Sequence, residues 1–336
     1  MQRMPRDVTV PDWVDRALYP FTPRTFETSA GRMAYLDEGP RDAAPILVVH
    51  GTPTWSFEHR ELVRLLSPHH RVIVPDHLGF GLSDKPEDAS LLTPAAHAAR
   101  LRALVEHLDL RDVTLVVHDF GGPIGLPLAL EGSRVARVVI MNSWMWSLAD
   151  DPSVARIDRV IRGPLGRFLY VTLNVSPKTL LPSVLGDRSL LTAPLHAHYL
   201  APFADRRARA SLYALACALG GAGAYYESLW ARRGALAETP LAIVWGMKDP
   251  AFQASHLAVW TEAFPHAEVT RLAEVGHFPA EEDPLAVARV IAGPALAGRL
   301  ATPRTRARIT PSATPRLLLA AAAIGLALAT AWALWS

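Results

Sequence analysis

The chain carries an aspartate, Asp119, where an apolar stretch gives way to a tight turn. Residues 116–122 read Val-Val-His-Asp-Phe-Gly-Gly, so two glycines follow the carboxylate after a single residue. Small residues of this kind are needed where a strand turns sharply into a helix. A carboxylate is a poor nucleophile toward acyl carbonyls but can displace a leaving group from saturated carbon. Asp119 therefore indicates chemistry on alkyl halides, epoxides or similar electrophiles, unless it only caps the following helix.

Two further residues could complete a catalytic set with Asp119. A carboxylate nucleophile needs a base to activate the water that cleaves its alkyl ester, and the base needs an orienting acid. His277 follows one apolar run in Gly-His-Phe, and Asp249 follows another in Gly-Met-Lys-Asp. Glu274 is a competing acid close to His277, but it lies on the approach to the loop. A third run ends in Asn142, which cannot carry charge, so Asp249 is the predicted acid.

Apolar runs alternate with helical patterns along most of the chain. This alternation predicts βαβ units and a mostly parallel sheet, with residues 31–38 as an antiparallel edge. The predicted parallel strands are 46–49, 71–74, 113–117, 135–141, 241–245 and 268–272. Between the fourth and fifth of these, about a hundred residues carry helical patterns, prolines and many aromatics. We expect this segment to be a helical cap over the strand ends, where ligands bind in such sheets.

Several motifs resemble those of the α/β-hydrolase superfamily, in particular the haloalkane dehalogenases and their epoxide hydrolase relatives. The matching segments are His50–Phe57, Pro75–Pro86, Val116–Gly122, Gly246–Asp249 and Gly276–Phe278. The resemblance implies an α/β-hydrolase fold, in which a mostly parallel central sheet is flanked by helices and an inserted helical cap. It also implies that Asp119 displaces the leaving group and that His277, oriented by Asp249, activates water without any cofactor.

The expected leaving-group site departs from the family pattern. The family commonly holds halide with an Asn after His-Gly and a Trp directly after the nucleophile, whereas this chain has Thr52 and Phe120 there. Their backbone amides can still form an oxyanion or leaving-group site. Each lost charge-assisted hydrogen bond is worth roughly 1.5 to 3 kcal/mol, or about one to two decades in rate. The aromatic residues that are candidates for the substrate pocket are Trp55, Trp144, Tyr199 and Tyr213.

Three functions follow from these residues. The first is a hydrolase that forms an alkyl-enzyme ester on Asp119 with a small hydrophobic haloalkane. The second uses the same triad on an epoxide or strained lactone, with cap tyrosines as acid donors. The tyrosines available for this role are Tyr170, Tyr199, Tyr213, Tyr225 and Tyr226. The third is a catalytically inactive, membrane-tethered protein of the same fold, against which the complete set of Asp119, Asp249 and His277 argues.

Composition bounds the organisation of the chain. Its 336 residues are 50% hydrophobic with a net charge of +2, which suits one large α/β domain with an insertion and disfavours a nucleic-acid partner. One cysteine, Cys217, permits no internal disulfide and fits a reducing compartment. No metal-ligand spacing is present. We expect a hydrolase core over residues 1–142 and 241–298, a cap over 143–240, and a small substrate and water as its partners.

The end of the chain differs in composition from the rest. Residues 317–336 contain no charged side chain and would reach roughly 30 Å as a helix, which predicts a transmembrane tail anchor. Residues 299–316 form an Arg/Pro-rich linker without acidic residues, and such positive flanks stay cytoplasmic. The sequence thus predicts a membrane-anchored protein with a cytoplasmic catalytic domain. The alternative is a terminal helix that packs on the domain.

Overall fold

A single eight-stranded sheet forms the centre of the molecule. The computed structural model describes residues 9–132, 134–298 and 300. The strands are β1 (Arg24–Thr28), β2 (Gly31–Glu38), β3 (Pro45–Val49), β4 (Arg71–Pro75), β5 (Val113–Asp119), β6 (Val135–Ser143), β7 (Leu241–Gly246) and β8 (Glu268–Leu272). Their order across the sheet is β1-β2-β4-β3-β5-β6-β7-β8. β2 pairs antiparallel with both β1 and β4, and all other pairs are parallel.

The predicted parallel sheet is confirmed, with one difference at its antiparallel side. Residues 31–38 form a strand as expected, but β1 pairs outside it and occupies the edge. The central strands are buried on both faces, which is why their sequences are continuous apolar runs instead of alternating ones. In β3, Leu47 and Val49 pack into the core on one face, and Ile46 and Val48 pack into the core on the other.

Helices cover the sheet and cap the ends of its parallel strands. The α-helices are α1 (Arg60–Leu66), α2 (Pro94–His107), α3 (Gly121–Leu130), α4 (Pro152–Arg162), α5 (Pro164–Arg167), α6 (Leu181–Ser183), α7 (Ala193–Leu200), α8 (Arg206–Gly221), α9 (Gly223–Ala231), α10 (Ala254–Ala263), α11 (Pro279–Glu282), α12 (Pro284–Ala292) and α13 (Pro294–Ala297). Local sequence sets several of their starts: Thr93, Asp205 and Asp283 accept a backbone N–H from the first turns of α2, α8 and α12.

The segment between β6 and β7 contains helices α4 to α9 and, across its described residues, no strand. Two stretches, Phe168–Leu173 and Ser176–Leu180, adopt the wider π-helical winding. That winding is uncommon and frequently occurs at functional sites. Side chains from this segment, among them Tyr170 and Leu180, lie over the carboxyl end of β5 and face Asp119 across a cavity.

The fold prediction needs one correction, at the C-terminus. Within residues 9–132, 134–298 and 300, no helix is both long enough and apolar enough to cross a membrane. The segment predicted as a transmembrane helix, residues 317–336, lies outside the described residues, as does nearly all of the linker at 299–316. The predicted fold is therefore corrected to a mostly parallel sheet flanked by helices, with an inserted helical segment and without an assigned transmembrane helix. The membrane partner expected from that helix has no support, and the cytoplasmic placement stays a prediction.

Candidate active site

Asp119 occupies the turn between β5 and α3 in a strained backbone conformation. Its φ of +50° lies in the left-handed region, which residues with a side chain rarely adopt. The turn is possible because its neighbours are glycines. A Cβ on Gly121 would lie 2.1 Å from the carbonyl oxygen of Val49, and one on Gly51 would lie 2.1 Å from Oδ1 of Asp119. The two glycines therefore allow the carboxylate to stand against the ends of β3 and β5.

The Asp119 carboxylate has two distinct neighbours. Its Oδ1 accepts the backbone N–H of Thr52 at 2.8 Å. Its Oδ2 lies 3.6 Å from Nε2 of His277. Only 7% of the residue is exposed, and that part lines the cavity beneath the cap. The carboxylate is thus held by one oxygen and faces both the cavity and the base.

His277 is oriented by a tightly held acid. Nδ1 of His277 lies 2.7 Å from Oδ2 of Asp249, and the ring stacks on that of Phe252 with centroids 5.6 Å apart. The Asn142 side chain donates to the same Asp249 oxygen at 2.8 Å, and the N–H of Ala251 donates to the other at 2.7 Å. The structure therefore brings Asp119, His277 and Asp249 together in the order that the sequence suggested.

Asn142 is a functional residue that sequence reasoning missed. The sequence analysis considered its position only as an alternative site for the catalytic acid. In the structure its side-chain oxygen accepts the N–H of Gly246 at 2.8 Å while its nitrogen donates to Asp249. It thereby ties the end of β6 to the turn that carries the acid. Its φ of +31° at a strand end is consistent with a constrained position, but no sequence signal separates it from a plain strand-end asparagine.

The charges around His277 favour its protonated form at rest. Burial alone would lower the pKa of His277, but Asp249 and Asp119 raise it to about 10. Burial would likewise raise the pKa of Asp249, yet His277 and hydrogen bonds from Ala251 and Asn142 keep that pKa below its usual value. Conversion of Asp119 to a neutral ester would remove one of the charges that hold the proton on His277. The imidazole then becomes available as a base.

Glu274, the competing acid, lies away from the triad. Its side chain is 83% exposed and forms an ion pair with Lys248. Asp249 is fully buried at the side chain and contacts the His277 ring directly. The structure therefore places the acid of this site at Asp249.

A mostly apolar cavity of about 300 Å³ opens above Asp119. The side chains that line it beside the triad include Leu148, Val154, Ile157, Ile161, Tyr170, Leu180, Leu181, Val184, Leu219 and Phe252. Thr52 and Phe120 also line it, next to the nucleophile. The Thr52 hydroxyl is buried and has no hydrogen-bond partner in the described part of the chain, and Phe120 offers no side-chain donor. Neither Thr52 nor Phe120 therefore offers a side-chain N–H donor on the leaving-group side.

None of the four aromatic candidates for the substrate pocket lines this cavity. The indole N–H of Trp55 donates to the backbone of His198 at 2.9 Å, and Tyr199 donates to Glu281 at 2.5 Å. Trp144 is buried behind Phe120 with ring centroids 4.8 Å apart, and the Tyr213 ring lies tilted beside that of Tyr170 with centroids 6.3 Å apart. Cap aliphatic residues line the pocket in their place.

The described residues contain no group of three or more His, Cys, Asp or Glu side chains that could hold a metal ion. Asp119, His277 and Asp249 are the side chains that the site brings together as nucleophile, base and acid.

Comparisons with known proteins agree with this geometry. Residues 44–284 match the family described as alpha/beta hydrolase fold. Haloalkane dehalogenase 2 of Mycobacterium tuberculosis is 34% identical over 281 residues, which cover 82% of this chain and 96% of the relative. A cis-3-alkyl-4-alkyloxetan-2-one decarboxylase of Xanthomonas campestris is 34% identical over 279 residues, which cover 79% of this chain and 92% of the relative.

A solved structure shows the same fold. The haloalkane dehalogenase DbeA of Bradyrhizobium elkani has a TM-score of 0.72 and 26% sequence identity, with 83% of this chain and 97% of that chain covered. The match extends over core and cap alike, because it spans nearly all of the solved chain. Together with the geometry of Asp119, His277 and Asp249, these likenesses show that the chain belongs to the α/β-hydrolase fold family as a haloalkane dehalogenase-like hydrolase.

Proposed function

We propose that the protein hydrolyses small apolar haloalkanes through a covalent ester on Asp119. The observation that carries this proposal is the position of the Asp119 carboxylate at the floor of an apolar cavity, with Oδ2 3.6 Å from the Nε2 atom of His277. A carboxylate so placed can attack an alkyl carbon, and the histidine can then direct water at the ester. The relatives named haloalkane dehalogenase support the halide as leaving group.

In the first half-reaction, the free Oδ2 oxygen of Asp119 attacks the substrate carbon. A carbon–oxygen bond forms, the carbon–halogen bond breaks, and the halide leaves with the bonding electron pair. Thr52 and Phe120 lie beside the nucleophile and would flank the departing anion. The hydrogen bond from the Thr52 N–H fixes Oδ1, so that Oδ2 faces the substrate.

In the second half-reaction, His277 acts on water. The ester carries no charge, so the proton on His277 is lost to solvent and Nε2 can accept a proton from water. The resulting hydroxide adds to the Asp119 carbonyl carbon, and the Thr52 N–H stabilises the oxyanion that forms on Oδ1. The tetrahedral species then expels the alcohol, which takes the proton from His277. Asp249 stabilises the imidazolium throughout.

The alternative substrates suggested by the sequence are less well supported. Epoxide opening would use a pair of tyrosines as acid donors, but Tyr170 is the one tyrosine of the described residues in the cavity lining. A strained lactone resembles the substrate in the name of the oxetanone decarboxylase relatives, and it belongs in any substrate panel. A catalytically inactive protein would have no need of the hydrogen bonds that hold Asp249 and His277.

The test is turnover of a panel of short chloro-, bromo- and iodoalkanes, epoxides and a disubstituted oxetan-2-one. We expect halide and alcohol to appear in equal amounts, faster for better leaving groups, and neither to appear with Asp119→Ala. Turnover of the epoxide or the oxetanone without any halide release from the haloalkanes would contradict the proposal. Halide release that survives in Asp119→Ala would contradict the covalent route.

A further inference from the structure

Large apolar side chains are exposed mainly on the outer surface of the cap. Six such side chains are exposed among the described residues, and four of them lie between positions 160 and 173. They are Val160 (39% exposed), Leu165 (59%), Phe168 (50%) and Leu173 (39%), and we call them the cap patch. Single exposed apolar residues are ordinary on a protein surface, but a group of them indicates a surface that contacts something else.

The cap patch runs along three connected pieces of helix. Leu165 lies in α5, and Phe168 begins the π-helical stretch that continues α5 without a break. Residues three apart on a helix are neighbours on its surface. The start of α5 packs against the end of α4, because a Cβ on Gly166 would lie 2.1 Å from the carbonyl oxygen of Ile161. Val160 directly precedes Ile161, so the patch continues from one helix to the next.

Helix α4 separates this outer surface from the substrate cavity. Val154, Ile157 and Ile161 line the cavity, and their spacing of three and four residues places them on one face of the helix. Arg159 and Val160 are exposed and lie on the opposite face. The cavity therefore accounts for the apolar residues of the inner face, but it does not account for an apolar residue on the outer one.

The same surface is strongly basic. Residues 152–178 contain five basic side chains, all exposed, and a single acidic one, Asp158. Asp158 is paired with Arg162 at 2.8 Å. The other basic residues of the stretch are Arg156, Arg159, Arg167 and Lys178. Because the whole chain has a net charge of only +2, the excess of positive charge is concentrated around the cap patch.

We propose that the outer surface of the cap, residues 152–178, docks on an anionic lipid bilayer. Leu165 and Phe168 enter the boundary between headgroups and acyl chains, and the basic side chains around them contact the anionic headgroups. Arginine and lysine suit this position because their apolar stems lie along the acyl boundary while their charged ends stay in the polar layer. This binding surface goes beyond the hydrolysis proposed above and does not depend on it.

The charge around the cap patch favours a lipid surface over a second copy of this chain. In a symmetric dimer both copies contribute the same surface, so two sets of basic side chains would face each other. Like charges brought together in an interface oppose association. An anionic bilayer, in contrast, offers negative charge and an apolar layer to the same docked surface.

A fluorophore within the cap patch tests the docking directly in the full chain. Leu165→Cys carries a dye that responds to the polarity around it, in a background where Cys217→Ser has removed the single native cysteine. The probes are vesicles of phosphatidylcholine with a quarter of phosphatidylglycerol, and vesicles of pure phosphatidylcholine. The matched control is Glu106→Cys in the same background. Glu106 is exposed near the end of α2, which leads to the start of β5 and so to the end of the sheet away from the cap.

We expect the dye at position 165 to shift its emission to shorter wavelength and to brighten by about twofold or more with the anionic vesicles, because it leaves water for the apolar layer. The dye at position 106 should change little. Because the signal is local, it reports this surface whatever else the chain binds. No change at position 165, or equal changes at positions 165 and 106, would overturn the proposal.

Substitutions then separate the charged from the apolar contribution. Arg159→Gln with Arg167→Gln should raise the lipid concentration at half-saturation by about 30-fold, since each basic residue near an anionic surface contributes roughly fivefold. Phe168→Ser should raise it by about 10-fold, because its ring no longer leaves water. Arg232→Gln with Arg271→Gln removes the same charge from exposed positions outside residues 152–178 and is the matched control. Equal weakening by the two arginine pairs would overturn the proposal.

The oligomeric state without lipid tests the second copy as the occupant. Light scattering of the unlabelled protein should give the same mass for the wild type and for Phe168→Ser, and thermal unfolding should show that both are folded. A dimer in the wild type that becomes a monomer in Phe168→Ser would assign the cap patch to a second copy of this chain and would overturn the proposal.

Discussion

The two sides of the Asp119 carboxylate differ in how completely their polar atoms are paired. On the base side, both oxygens of Asp249 accept hydrogen bonds, and one of them also contacts His277. On the leaving-group side, the Thr52 hydroxyl has no hydrogen-bond partner among residues 9–132, 134–298 and 300, and Phe120 has no donor to offer. The base side is therefore organised before any substrate arrives, whereas on the leaving-group side the Thr52 hydroxyl is left to donate to the departing group. The base side fixes the reaction type, and the leaving-group side selects the leaving group.

The largest expected effect is on the base side, at His277. His277→Gln removes the base but not the nucleophile, so the alkyl ester should form and persist. We expect a burst of about one halide per active site, followed by turnover reduced about 10⁴-fold. Mass spectrometry should show the added alkyl group on the intact protein. The control is His256→Gln, another histidine of the cavity, which should turn over without accumulating adduct.

The acid should have the next largest effect. Asp249→Asn would present an amide to Nδ1 of His277 and favour the wrong tautomer, which should lower ester hydrolysis by about 10²- to 10⁴-fold. The matched control is Glu274→Gln, which changes the exposed carboxylate nearest in sequence to His277. Rapid-quench measurement of the rate of ester decay distinguishes the Asp249→Asn variant from the Glu274→Gln control. Equal losses in both variants would contradict the assignment of Asp249 as the acid.

These residues differ in how far the sequence could predict them. Asp119, Asp249 and His277 each follow a strand in a short motif, and parallel strands bring such ends together. Asn142 acts through Asp249, a partner 107 positions away, so no local pattern marks it. The strands were predicted well because buried parallel strands read as continuous apolar runs.

The pocket was the hardest part to predict. Aromatic residues were expected to line the pocket because they are numerous in the cap. The direction in which each side chain points, however, depends on tertiary contacts that a sequence does not show. The Trp55 indole N–H is used by the backbone of His198, and Tyr199 packs against Glu281. Small and aliphatic cap residues face Asp119 in their place. Polar atoms with a partner deep in the protein are held there, which turns such rings away from the cavity.

A smaller effect is expected on the leaving-group side. Thr52→Val keeps the backbone N–H that binds Asp119 but removes the unpaired hydroxyl. We expect the rate of halide release in the first turnover to fall about tenfold, as one hydrogen bond to an anion is lost. Thr52→Ser, which keeps a hydroxyl at this position, should release halide at the wild-type rate. A Thr52→Val enzyme that alkylates as fast as the wild type would show that the hydroxyl does not contact the leaving group.

The smallest change leaves the fold and both sides of the site in place but removes one charge. In Asp119→Asn, the pKa of His277 should fall below about 10, because the Asp119 carboxylate is one of the groups that raise it. The variant mimics the neutral ester, and a nuclear magnetic resonance titration of the His277 ring gives the value. An unchanged pKa would mean that ester formation does not release the proton from His277.

The central claim, that Asp119 forms the covalent ester, is tested most directly by one turnover in water labelled with oxygen-18. Enzyme in excess over a haloalkane should incorporate the label into the Asp119 peptide, because water attacks the ester carbonyl, while the alcohol carries unlabelled oxygen from the carboxylate. Peptide mass analysis after digestion reads this out. Label in the alcohol and none in Asp119 would mean that water attacks the substrate directly, and would contradict a covalent role for Asp119.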